Sequence, residues 1–295
     1  MVNLEHAGIA FLMVLVAGFA TCVGASVIFF QRLVKLASKL VLAGGLAFSA
    51  GIMLYVSFIE IFQKAKTGFE DAGMKENHAY MAATACMFGG MLMMRLIAVL
   101  THCMDPKHDA HEQAVTIGIP PLEAPDTTKT VKSPDSEASE KALMRMGLNT
   151  ALAITLHNFP EGLAGMVAGL IDPSVGFTLT MAIAIHNLPE GLCIALPVYY
   201  SSGSRLKGFF LATLSGMSEP IGALIAWGIV ASSGEDLNGI IYGILFGMVG
   251  GIMIMIVVLE LLPTAHRYDP KDVVVTHSLV AGMLVMAASL ILFMV

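Results

Sequence analysis

Two stretches of otherwise apolar sequence carry residues able to bind a cation, Leu-His-Asn-Phe-Pro-Glu-Gly-Leu at 156–163 and Ile-His-Asn-Leu-Pro-Glu-Gly-Leu at 185–192. The six-residue pattern His-Asn-x-Pro-Glu-Gly begins at His157 and again at His186. On a helix, His157 and Glu161 lie one turn apart on one face, as do His186 and Glu190, with Asn158 and Asn187 flanking them. Two such faces turned toward each other gather imidazole, amide oxygen and carboxylate in one small volume. That donor set suits Zn²⁺, Fe²⁺ and Mn²⁺ and argues against a dedicated Cu⁺ site. Pro160 and Pro189 each remove a helical N–H, leaving the carbonyls of Leu156 and Ile185 without their usual donors. Such breaks at membrane depth are expected where kinked helices line a cavity or pack on protein. Gly162 and Gly191 then allow close helix approach. A carboxylate in the bilayer costs about 2.5–3.5 kcal/mol on insertion scales. Neither apolar run offers a buried Lys or Arg to offset it, so a cation from solution is the expected counter-charge.

Other polar residues extend this picture. Glu219, followed by Pro220, is a third mid-membrane carboxylate before a break and a candidate ligand. Glu60 and Glu260 lie nearer the ends of their runs, where gate or pathway roles are expected, and Ser57 stands one turn before Glu60. His102, His108 and His111 open a long polar segment, where they would either pre-bind metal at the cytoplasmic side or be ordinary solvated histidines. His266 and His277 read as interface residues, and Arg95 as a snorkelling one. The 21 methionines are scattered without a repeated MxxM entrance and read as apolar packing. Cys22, Cys86, Cys103 and Cys193 have no CxxC spacing, which argues against a thiolate zinc site and a disulfide framework. Two rivals use the same donors. An intramembrane metalloprotease expects HExxH, but Asn158 and Asn187 occupy the positions of its general base. A metal-sensing scaffold would bind without flux.

The elements that must position these residues are membrane helices. Of the 295 residues 56% are apolar and 13% charged, with a mean hydropathy of +0.78, too few polar side chains to cover a water-facing surface. Apolar runs fall at about 7–30, 40–63, 79–101, 143–170, 175–200, 207–232, 237–262 and 273–295. They do not alternate as barrel strands would, so the chain reads as an all-α membrane protein of eight transmembrane helices. The metal site lies between the kinked fourth and fifth. Lys and Arg concentrate on alternate connections, among them Arg32, Lys35 and Lys39, and Arg205 and Lys207. The positive-inside bias makes these loops cytoplasmic and puts both termini on the other side. Met1–Gly8 holds no Lys or Arg, so the first run is expected to be a retained helix and not a secretory signal. One membrane domain results: helices within 1–101, a disordered cytoplasmic loop at 102–142, and helices within 143–295. No basic patch with interleaved aromatics points to nucleic acid, and the partners are divalent ions and lipid.

At the paired motifs the sequence resembles the ZIP (Zrt-, Irt-like) family of metal transporters, and is most similar to its bacterial ZupT-like branch. The resemblance spans essentially the whole chain, and the motifs at 157–162 and 186–191 carry it. It implies passage of Zn²⁺, Fe²⁺ and related ions (Mn²⁺, Cd²⁺, Co²⁺) toward the cytosol across a plasma or organelle membrane, with no resident cofactor. It also implies a binuclear centre. His157, Glu161, His186 and Glu190 would form the first position. Asn158, Asn187 and Glu219 would complete a second, with the glutamates as bridges. A homodimer is implied as well.

Overall fold

The computed structural model describes residues 4–36, 39–104, 134–233 and 239–294, and among them every regular element is helical. After a single turn at Leu4–His6 come α1 (Ala7–Phe29), the short α2 (Gln31–Leu36), α3 (Lys39–Asp71) and α4 (Glu76–Met104). They are followed by α5 (Pro134–Ile171), α6 (Pro173–Ser202), α7 (Arg205–Ser232), α8 (Gly239–Tyr268) and α9 (Val275–Met294). Seven of these, all but α2 and α5, are long and apolar enough to cross a membrane. The run expected at 143–170 lies inside α5.

Two boundaries differ from expectation. Residues 102–104 and 134–142 are helical where a loop was expected, while His108 and His111 lie outside the described residues. Pro134 can open a helix because its missing N–H is unneeded in the first turn, and Ser-Glu-Ala-Ser-Glu-Lys-Ala continues it without a breaker. The run expected at 207–232 is interrupted at Met217, between Gly216 and Ser218. Pro220 supplies no donor for the carbonyl of Gly216, and the next helical bond, Ile221 N–H to Met217 O, is stretched to 3.4 Å. Pro160 and Pro189, by contrast, stand inside helices that run on through them.

The helices pack as two groups. In one, α1 lies along α6, α6 along α5, and α5 along α7. In the other, α4 lies along α8 and α9 along α3, while α3 and α8 also touch. The groups meet where α3 packs on α6: Gly45 faces the ring of Pro189, and Ser49 Oγ donates to His186 O at 2.9 Å. The connection from α5 to α6 is the single residue Asp172, whose carboxylate accepts Ser174 N–H at 2.8 Å ahead of Pro173. So short a turn forces the two helices into antiparallel neighbours. Close contact follows from Gly162 and Gly191: a Cβ on either would collide with a backbone carbonyl, that of Glu219 and of Thr21 respectively.

Both α3 and α8 contain a π-helical turn, Ser57–Ile61 and Val257–Leu261. Each carries its glutamate, Glu60 or Glu260, at the fourth position. The preceding residues repeat: Gly-Ile-Met at 51–53 precedes Glu60 as Gly-Ile-Met at 251–253 precedes Glu260. The wider turn re-aims these side chains, a common use of a π-bulge.

Candidate metal transport site

The antiparallel register of α5 and α6 sets the first residue of one motif opposite the fifth of the other. His157 therefore pairs across the interface with Glu190, Nε2 to Oε2 at 3.0 Å, and His186 with Glu161, Nε2 to Oε1 at 3.1 Å. The i, i+4 spacing sets each histidine and the glutamate of its own helix on one face, without fixing which glutamate each imidazole meets. The structure crosses them, because two antiparallel helices meet head to tail. All four residues are at most 1% exposed.

The remaining contacts orient the donors. His186 Nδ1 donates to Ala182 O at 3.0 Å, which in the neutral ring leaves Nε2 as the lone pair facing the site. Asn187 Nδ2 donates to Ala17 O at 3.0 Å and, through a short bond, to Glu219 Oε1. The third carboxylate thus arrives from α7, just past the break at Met217, and is fully buried. Ser218 Oγ donates to Ser215 O at 2.7 Å and steadies that break. Residue α1 contributions escaped the sequence reading, since Ala17 acts through its carbonyl, which no side-chain motif can signal.

Several polar atoms of the cluster are buried without a hydrogen-bond partner among the described residues: one oxygen each of Glu161, Glu190 and Glu219, Asn187 Oδ1, His157 Nδ1 and both amide atoms of Asn158. No Lys or Arg is buried among the described residues. Unpaired oxygens of this kind are costly in a low dielectric unless a cation meets them. The donors are closed on one another, and among the described residues no three acidic, His or Cys side chains are already gathered around one point. An ion must therefore part the pairs to be bound.

The other expected residues lie farther along the helices. Ser57 is buried and its hydroxyl donates to Met53 O at 2.7 Å. Glu60 pairs with Lys64 at 3.6 Å. Glu260 is half-buried on its π turn. His102 falls within α4, with its side chain outside the described residues. The π turns were missed, although the repeat of Gly-Ile-Met ahead of a glutamate was available to signal that the two helices are alike.

Comparison with known proteins bears on this geometry. A family profile described as ZIP zinc transporter matches residues 5–291. The zinc transporter ZupT of Streptococcus mutans is 39% identical over 289 residues, covering 98% of this chain and 99% of its own. That of Clostridium perfringens is 39% identical over 292 residues, covering 99% and 98%. That of Campylobacter jejuni is 39% identical over 289 residues, covering 97% of each. The protease and scaffold readings, open while only the donor types were known, fall away. The chain belongs to the ZIP zinc transporter family and is a multi-pass membrane transporter of divalent metal ions, not an enzyme.

Proposed function

We propose that the transported ion is held between α5 and α6 by the crossed pairs, with His157, Glu161, His186 and Glu190 as the first position. Asn158, Asn187 and Glu219 complete a second, bridged by the two motif glutamates. The observation that carries this reading is the pair of fully buried His–Glu contacts, at 3.0 and 3.1 Å, with no buried Lys or Arg among the described residues. Zinc takes imidazole nitrogen and carboxylate oxygen at about 2.0–2.2 Å, so in a tetrahedral shell the two donors stand about 3.3–3.4 Å apart. Each pair then opens by only about 0.3 Å to admit an ion. The closed pairs engage one imidazole nitrogen and one carboxylate oxygen of each partner, and the same atoms become the shell of the ion.

Zn²⁺ is the substrate we favour, as named for the relatives, with Fe²⁺, Mn²⁺, Cd²⁺ and Co²⁺ as candidates that share nitrogen and oxygen ligands. Counting α5 as the eighth span puts both termini on the outer side, by the charge bias of the loops. A small tag at either end, cleaved only by protease added outside intact cells, checks that orientation. In this frame Glu60 with Ser57 lies toward the outer end of α3 and Glu260 toward the inner end of α8. They flank the site as access and release residues, with His102, His108 and His111 beyond on the cytoplasmic side. Protons compete with metal for the imidazole nitrogens, so uptake should weaken as the pH falls through the imidazole range near 6.5.

The test is zinc uptake into proteoliposomes by wild type, His157→Ala and Glu161→Ala at matched protein content. Both variants should lose at least about tenfold in rate, equivalent to about 1.4 kcal/mol. Uptake at the wild-type rate by both would show that the ion passes elsewhere.

A further inference from the structure

The site is built twice, and its halves differ in the polar residue that α1 and α7 supply. On α1 the sequence Thr21-Cys22-Val23-Gly24-Ala25 stands where α7 has Glu219-Pro220-Ile221-Gly222-Ala223. The packing follows the same correspondence. Gly191, after Glu190, lies against Thr21 O, as Gly162, after Glu161, lies against Glu219 O. Gly24 lies against Leu188 O as Gly222 lies against Phe159 O. The two helices also cross each other reciprocally. A Cβ on Gly18 would stand 3.5 Å from Glu219 Cβ, and a Cβ on Gly216 would stand 3.0 Å from Thr21 Cβ and 3.3 Å from its hydroxyl. Thr21 therefore holds on α1, facing Gly216 of α7, the place that Glu219 holds on α7, facing Gly18 of α1.

In the Glu219 half the carboxylate reaches the amide of Asn187. The matching pair in the other half is Thr21 and Asn158, and the threonine side chain is too short to repeat that bond. Thr21 Oγ1, Asn158 Oδ1 and Asn158 Nδ2 are all buried, at 0% exposure of their residues, with no partner among the described residues. Thr21 also forgoes the usual bond to its own helix. Thr84, Thr155, Thr178 and Thr180 each donate to the carbonyl one turn back, but the corresponding oxygen for Thr21, Ala17 O, accepts from Asn187. By the correspondence of Thr21 with Glu219 and of Asn158 with Asn187, these three unpaired polar atoms belong to the half of the cluster opposite Glu219.

We propose that Thr21 is a specificity-determining residue of the transport site, its hydroxyl forming with the Asn158 amide a neutral-oxygen corner that receives the divalent ion. A neutral donor there, in place of a fourth carboxylate, holds the ion without trapping it. The inference rests on the reading of the paired motifs as the transport site.

Zinc uptake in proteoliposomes by Thr21→Val, Thr21→Ser and Thr21→Asp, with Glu161→Ala alongside, tests it. Thr21→Val keeps the shape and loses the hydroxyl. It should raise KM about three- to tenfold, the range of one neutral hydrogen bond, with the maximal rate unchanged. Thr21→Ser should restore the wild-type KM. Thr21→Asp should lower KM and the maximal rate together, as a tighter site releases its ion more slowly. A wild-type KM for Thr21→Val, or equal impairment of Val and Ser, overturns the proposal. If Thr21→Val does not reach the bilayer, Thr21→Ala carries the same expectation and the same refutation. Normal uptake by Glu161→Ala would refute the underlying site instead, whereas an inactive Glu161→Ala beside an unaffected Thr21→Val refutes the role of Thr21 alone.

Discussion

Three carboxylates, Glu161, Glu190 and Glu219, are fully buried in one cluster, and each keeps an oxygen without a donor among the described residues. Glu161 and Glu190 face imidazoles, whereas Glu219 faces the Asn187 amide, so the three are not equivalent. Replacing Glu219 with Gln keeps the size and removes the charge. If Glu219 completes a second ion position, Glu219→Gln should lower kcat/KM for zinc by about tenfold, ~1.4 kcal/mol, a smaller loss than Glu161→Ala produces. Initial uptake rates across a zinc series measure this, and unchanged kinetics would remove Glu219 from the site. The types and spacing of these residues were legible in the sequence because polar groups in apolar runs stand out. Their partners were not. Pairing across helices depends on register, and Ala17 contributes a carbonyl that every residue possesses.

At the scale of elements, close helix contact rests on a few glycines. A Cβ at Gly162 or Gly191 would run into the backbone of Glu219 or Thr21, forcing α5 from α7 or α6 from α1. Gly162→Ala and Gly191→Ala should each destabilise the protein by about 1–3 kcal/mol and depress uptake. Gly89 on α4 has open space around it. Gly89→Ala should leave stability unchanged or raise it by up to about 1 kcal/mol, through helix propensity. Thermal unfolding in detergent separates these outcomes, and similar midpoints for all three variants would contradict the packing described. Helix existence was legible from run length and hydropathy. The π turns at Ser57–Ile61 and Val257–Leu261 were not, because a one-residue widening of a helix leaves no trace in composition. Nor was the helical stretch that follows Pro134, whose charged residues resemble those of a polar loop.

Across the whole molecule, α1, α5, α6 and α7 form the group that holds the buried His, Asn and Glu cluster, while α3, α4, α8 and α9 form the second group, touching the first chiefly at the contact of α3 with α6. Correspondences within each group, Gly51 with Gly251 in the second and Gly24 with Gly222 in the first, show that like helices make like contacts from opposite ends of the chain. The sequence showed the motif repeat of α5 and α6 plainly because four polar or helix-breaking residues recur. The weaker likeness of α1 to α7 emerged only from packing, since a glycine and an alanine are all that the matched segments share. Cys22 and Cys193 are also buried in the first group, so a site built on thiolates is the natural competitor to one built on imidazole and carboxylate. Zinc-edge X-ray absorption on the purified, zinc-loaded protein decides between them. A first shell of nitrogen and oxygen at about 2.0–2.2 Å with imidazole scattering, lost in the His157→Ala/His186→Ala variant, is the predicted result. Sulfur at about 2.3 Å, or an imidazole-free shell, would contradict it.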